Sequence, residues 1–168
     1  MVILKVLDRL VLTLIIVTNF FSNSWYICKK LHNKLIEKFN PYHQHLLLRC
    51  WATNPPKKVE ELNNWFINLV EKVGMKVVAG PTSVYVSDPG NEGLTGTVTL
   101  ATSHASIHIW DNMELPMVQF DIYSCKSFTL EQVMECFESF GLTRAEWIMI
   151  DRNSKPVITS EGLWEKNK

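Results

Sequence analysis

A chain of 168 residues has room for one domain and an appendage, because domains most often run to about 100 to 150 residues. Lysine plus arginine and aspartate plus glutamate number 17 each, so no net field draws the protein to nucleic acid, and no dense basic block marks a phosphate-tracking surface. Cys28, Cys50, Cys125 and Cys136 contain no C-x-x-C pair and are too few for a disulfide scaffold at this length, which points to a reducing compartment.

Residues 1–43 differ in texture from the rest and read as a hydrophobic, helical N-terminal extension. The 19 residues from Leu10 to Cys28 carry no charge and approach the ~20 needed to cross a bilayer, but six of them are polar, which weighs against membrane contact through residues 10–28. Were the segment to span, Lys29, Lys30, Lys34 and Lys38 would outnumber Lys5 and Arg9 and keep the following domain in the cytoplasm, the location expected in either case. Lys5 and Arg9 before an apolar core also resemble a secretory leader, yet no A-x-A-like cleavage site follows.

Asn40-Pro41 marks a boundary, since the residue before proline is pushed out of helical geometry, and residues 44–152 read as the folded domain. H-L-L-L-R-C-W from His45 suits a strand, and Asn54-Pro55-Pro56 ends it. From Val59 to Val73, Leu62, Trp65, Phe66, Leu69 and Val70 recur at helical spacing and predict one amphipathic helix. Residues 76–79 and 83–86 read as two short strands, then a turn-rich loop over 88–93. Residues 96–101, 105–110 and 117–123, rich in Val, Ile, Thr and aromatics, predict three adjacent strands. Residues 128–140 predict a second helix stopped by Gly141, 145–150 a last strand, and 153–168 a weakly ordered polar tail. Strands joined as hairpins around only two helices predict an α+β fold, a two-layer sandwich of a mainly antiparallel sheet with helices on one face.

Chemistry concentrates between Thr95 and Phe128. As a strand, T-S-H-A-S-I-H-I-W places His104, Ser106 and His108 on one face and Ser103, Ala105 and Ile107 on the other. His104 and His108 would then stand ~13 Å apart, too far to share a metal, and no metal site is expected. Ser103 lacks the G-x-S-x-G elbow of a serine hydrolase, and no glycine-rich phosphate loop is present.

T-S-H-A-S-I-H-I-W followed by F-D-I-Y-S-C resembles the processing and active-site region of the prokaryotic-type, pyruvoyl-dependent S-adenosylmethionine decarboxylases, whose pattern is roughly E-S-H-x-[ST]-I-H-[TS]-[WY] and then D-x-[FY]-[ST]-C. The likeness runs from about His45 to Asp151 and includes Thr95-Gly96. It implies a proenzyme that cuts itself between Thr102 and Ser103, with Ser103 becoming a covalent pyruvoyl cofactor. That group would form a Schiff base with the amine of S-adenosylmethionine and accept the electrons released with carbon dioxide, yielding the aminopropyl donor for spermidine and other polyamines.

By the same resemblance His108 is the proton acceptor in processing, Cys125 the proton donor in catalysis, and Thr95 a processing residue whose hydroxyl polarises the scissile carbonyl. Trp110 offers a face for adenine, and a homodimer of processed two-chain protomers with active sites between subunits is implied. Two positions depart from the pattern: Thr102 stands for a glutamate, and Arg49, a candidate substrate-binding residue, stands about where an acid is common. Arg49 would repel the cationic S-adenosylmethionine by ~1 kcal/mol or more at short range, so decarboxylation of another amino acid is an alternative; relatives of the family act on arginine or ornithine, although Arg49 suits neither basic side chain if it faces the pocket. An unprocessed, non-catalytic paralogue acting as a regulatory partner is another.

Overall fold

The computed structural model describes residues 42–166. The N-terminal extension, apart from Tyr42 and His43, lies outside the described residues, as does the apolar stretch 10–28; among the described residues no helix is long and apolar enough to cross a membrane. The chain forms β1 (Gln44–Ala52), α1 (Val59–Lys72), β2 (Val77–Val86), β3 (Gly93–Leu100), β4 (Ser103–Trp110), β5 (Met117–Ser124), α2 (Leu130–Cys136), a 3-10 turn (Glu138–Phe140), β6 (Leu142–Asp151) and β7 (Val157–Glu165). The strands make one sheet in the order β2-β3-β4-β5-β1-β6-β7, with every neighbouring pair antiparallel. This is the expected α+β sandwich, with its helices on one face.

Local chemistry accounts for the element ends. Pro55 and Pro56 break the chain ahead of α1, whose first turn holds Glu60 and Glu61 and whose last holds Lys72, each opposite in sign to the helix-dipole end it sits on. The stretch 128–140 divides into α2 and the 3-10 turn. Thr129 and Gln132 form a capping box that starts α2 at Leu130, and Gly141, in the left-handed region at φ 66°, ends the turn. The two short strands expected over 76–86 are one strand, β2, irregular around Gly80-Pro81; as an edge strand it tolerates a proline that has no amide hydrogen to give.

The weakly ordered tail is corrected outright: Val157–Glu165 is β7, paired to β6 from Arg144↔Glu165 to Asp151↔Val157. It is largely exposed, Val157, Ile158, Leu163 and Trp164 included, because an edge strand is held through its backbone and needs little apolar burial.

The core lies between the sheet and the helices. Leu62, Trp65, Phe66, Leu69 and Val70 of α1 are buried against Val98 and Leu100 of β3, Ala105 and Ile107 of β4, and Phe120 and Ile122 of β5. Trp65 is its hub, with ring centroids of Phe66, Phe120, Phe137 and Phe140 at 4.9–5.5 Å and its indole N–H donating to the Cys136 carbonyl at 2.8 Å. Gly96 lets α1 lie this close, since a Cβ there would stand 2.8 Å from Phe66 Cε2 and 2.5 Å from Ser83 Oγ.

Among the described residues no helix packs on the opposite face of the sheet, which is mostly polar. Its centre is Asp121, bonded by the Ser106 hydroxyl, with His45 Nε2 at 3.6 Å and His104 Nε2 at 3.9 Å. Partial burial works against the Asp121 charge, but His45, Ser106 and His104 outweigh it and hold the carboxyl below its usual range.

Gly96→Val should destabilise the domain by about 1–3 kcal/mol through overpacking, read as a lower urea midpoint with unchanged slope. Since Asp121 titrates lower in the folded state than in the unfolded chain, its stabilisation is complete above about pH 4 and is lost as pH falls through its folded value. Asp121→Asn should therefore lose less stability than the parent between pH 5 and pH 3 in parallel urea titrations.

Candidate functional site

β3 and β4 pair up to Leu100↔Ser103, so Ala101 and Thr102 form a two-residue turn. Thr102 holds φ at 63°, the only non-glycine residue among those described with positive φ. A β-branched side chain there is an outlier costing on the order of 1–3 kcal/mol, sustained because both flanking strands are locked into the sheet. The Thr102 hydroxyl donates to the Ala101 carbonyl at 2.6 Å, inside the same turn.

Cys125, just past β5, holds both partners of the Thr102–Ser103 peptide. Its thiol donates to the Thr102 carbonyl oxygen at 2.9 Å, and its amide N–H donates to Ser103 Oγ at 3.0 Å. The loop that places it is fastened by the Lys126 amide on Ser124 Oγ at 2.8 Å and by Lys126 Nζ on the Gly74 carbonyl at 2.7 Å. Ser103 is buried, on the helix-facing side with Ala105 and Ile107, as the strand alternation predicts. A hydroxyl fixed beside a carbonyl that carries a donor is the arrangement an N-to-O acyl shift needs.

Two further side chains reach this corner. The Tyr123 hydroxyl bonds His43 Nδ1, and the Cys125 sulfur lies 3.6 Å from each. The contact with the Cys125 sulfur, then burial, raises the Tyr123 phenol above its ordinary value, while Arg152, 4.6 Å over the ring, pulls the other way. Tyr123 lay in the quoted F-D-I-Y-S-C motif, and its i, i+2 relation to Cys125 could have marked it. His43 had no local signal, because only the β1–β5 register, with His45 opposite Tyr123, carries it there.

The other sequence-derived residues gather elsewhere. His108 lies opposite Thr95 in the register, with Nδ1 3.1 Å from the Thr95 hydroxyl and its ring 5.8 Å from that of Trp110. Five residues along β4 separate His108 from Ser103, about 16 Å at strand rise, and an odd spacing puts them on opposite faces. The chain therefore brings Ser103, Thr102 and Cys125 together but not Thr95 or His108. Arg49, 4.7 Å over the Trp51 ring, lines a shallow concavity on the open face together with His108, Gln119, Asp121 and Glu146. Among the described residues no three His, Cys, Asp or Glu side chains converge as a metal cluster.

The family model described as S-adenosylmethionine decarboxylase matches residues 44–153, the whole stretch from β1 to the end of β6 and well over half of the chain. Comparison with curated proteins gives no match. On that match, which includes the Thr102–Ser103 turn and Cys125, the chain belongs to the S-adenosylmethionine decarboxylase family of decarboxylases.

Proposed function

We propose that the chain is a proenzyme that cleaves itself between Thr102 and Ser103, and that its processed form decarboxylates S-adenosylmethionine to supply the aminopropyl donor for polyamine synthesis. The carrying observation is that Cys125 grips both reactants, its thiol on the Thr102 carbonyl and its amide on Ser103 Oγ. Ser103 Oγ attacks the Thr102 carbonyl carbon; the C–O bond forms, the C–N bond breaks, and the freed nitrogen takes the hydroxyl proton. The Cys125 thiol supports the charge that builds on the carbonyl oxygen, and the ester releases Thr102 from its left-handed geometry. Removal of the Ser103 Cα proton then expels the Thr102 carboxylate, and hydrolysis of the resulting dehydroalanine releases ammonia. The fragments are 1–102 and 103–168.

The pyruvoyl group left at residue 103 supplies an electron-accepting carbonyl for the amine and carboxylate chemistry of the substrate. Ser103 fits that role, being the residue whose hydroxyl is held at the strained peptide. Cys125, within reach of the same atoms, is placed to deliver a proton to the product carbon. Thr102, in place of the glutamate, keeps both the attacked carbonyl and its donor, so the departure leaves the bond-making atoms intact.

His108 acts, in this proposal, from a second copy. Its distance from Ser103 within one chain, and a sheet face that no described helix covers and that carries Thr95, His108, Trp110 and Arg49, both support a homodimer joined across that face, with each site completed by the partner. Arg49 beside His108 favours one second reading, the same chemistry on a substrate other than S-adenosylmethionine.

An intact mass under denaturing conditions should show two fragments meeting between Thr102 and Ser103, the later one with a pyruvoyl N-terminus, and one 168-residue chain for Ser103→Ala. A wild-type chain that stays whole would overturn the proposal. Carbon dioxide release from S-adenosylmethionine, compared with release from arginine and ornithine, decides the substrate. Ser103→Ala and His108→Ala should each remain uncut alone; co-expressed, the His108→Ala chain should be cleaved, because the partner lends its histidine. Cleavage of neither chain in the mixture would sink the shared site.

A further inference from the structure

We propose that His43 and Tyr123 are positioning residues that govern the Cys125 proton, forming a relay from solvent to the thiol at the scissile peptide. This rests on the reading of Cys125 as the group that donates a proton during turnover. His43 lies one residue ahead of the stretch matched by the family model, and no residue motif reaches it.

The geometry has three parts. The Tyr123 hydroxyl bonds His43 Nδ1, and the Cys125 sulfur stands 3.6 Å from both the phenol oxygen and that nitrogen. His43 is held by its backbone on both sides: its N–H donates to Asn153 Oδ1 at 2.9 Å, and its carbonyl accepts from the Arg152 amide at 2.8 Å. The two rings stack with centroids 5.9 Å apart. A side chain anchored this way, half-buried and so within reach of water, holds its nitrogen at a fixed place beside the sulfur.

The proton count closes without an oxidant or reductant. Cys125 gives its S–H proton to the product carbon and becomes a thiolate. Tyr123 O–H restores that proton, Nδ1–H of protonated His43 restores the phenol, and water resupplies the half-buried imidazole. The net change is one proton from solvent to carbon. A thiolate left beside only the Thr102 carbonyl would have an acceptor for a neighbour and no donor, so the relay meets a need that the other contacts of the sulfur leave open.

The other charged and titratable groups at this corner are Arg152, over the Tyr123 ring; His45 on β1, whose Nδ1 lies 3.4 Å from the Arg152 guanidinium; His104 on β4; and Asp121 on β5, beside His45 and His104. Lys126 is engaged by the Gly74 carbonyl. Because these groups are titratable or charged as well, the contribution of His43 has to be separated by substitution.

The test uses the full chain carrying Ser103→Ala, which cannot be processed, so its outcome does not depend on whether the proenzyme cleaves itself. The rate of iodoacetamide labelling at Cys125 is followed by peptide mass from pH 5 to 10, with Cys50 as the internal control, since burial pushes that thiol up to about 12 and keeps it unlabelled. The Ser103→Ala chain should show an inflection between pH 5 and 8, where imidazoles titrate, ahead of the main rise. Adding His43→Gln should remove that inflection and slow labelling about tenfold at pH 7, and adding Tyr123→Phe should diminish both. Free imidazole given to a His43→Ala chain should restore the inflection, which a purely structural defect would not allow. Superimposable profiles with and without His43→Gln would overturn the relay. So would an imidazole addition that restores nothing.

Discussion

An antiparallel sheet covered by helices on one side gives its central strands a dry face and one that no described helix covers, and the rest of this molecule follows from that division. Along β4 the odd positions Ser103, Ala105, Ile107 and Ile109 are buried while His104 and His108 are exposed. The alternation belongs to the backbone, since successive side chains of a strand point to opposite faces. Two residues an odd number apart cannot meet on one strand. Ser103 and His108 are separated by this rule before any distance is considered, and a site using both needs a second surface, which is the physical ground for proposing a partner copy across the open face.

The same sheet holds its strained turn in place. Thr102 stays in the left-handed region because Leu100↔Ser103 and the registers beyond it lock both arms of the hairpin, and β4 is clamped in turn by β5. The core beneath is built to resist relaxation, with Trp65 among four phenylalanines and Gly96 admitting α1 close to the sheet. Cys125 then closes the arrangement from β5, where its loop is tied to Ser124 and Gly74. Strain of one to a few kcal/mol persists at such a turn only when its surroundings over-determine it.

Much of this is legible along the chain. The 3.6-residue spacing of Leu62, Trp65, Phe66 and Leu69 marks α1, and the β-branched runs mark β3, β4 and β5, because these periods report burial on one face directly. Gly141 as a helix stop is a local backbone property and appears where expected. β7 is hidden for the opposite reason: an edge strand is held by backbone bonds to β6, and Val157-Ile158 and Leu163-Trp164, adjacent pairs and not alternating ones, show no period that would mark it. β2 is blurred into two pieces by Gly80-Pro81, residues that read as a break in any strand not known to lie at an edge.

Sequence by itself determined the two-layer α+β class, the faces of β4 and, through T-S-H-A-S-I-H-I-W with F-D-I-Y-S-C, the stretch where chemistry is concentrated, because periodicity and motif spacing are properties of contiguous residues. Only the tertiary structure decided that Cys125 touches both sides of the Thr102–Ser103 peptide, that His43 and Tyr123 stand behind its sulfur, and that Thr95 and His108 lie far from it within the chain. The contacts of Cys125 with Ser103, Thr102 and His43, and of Tyr123 with His43, join residues 22 to 82 positions apart. They arise from the register in which β1, β4 and β5 pair, which no local pattern encodes, since a shift of one residue would turn every one of these side chains to the other face.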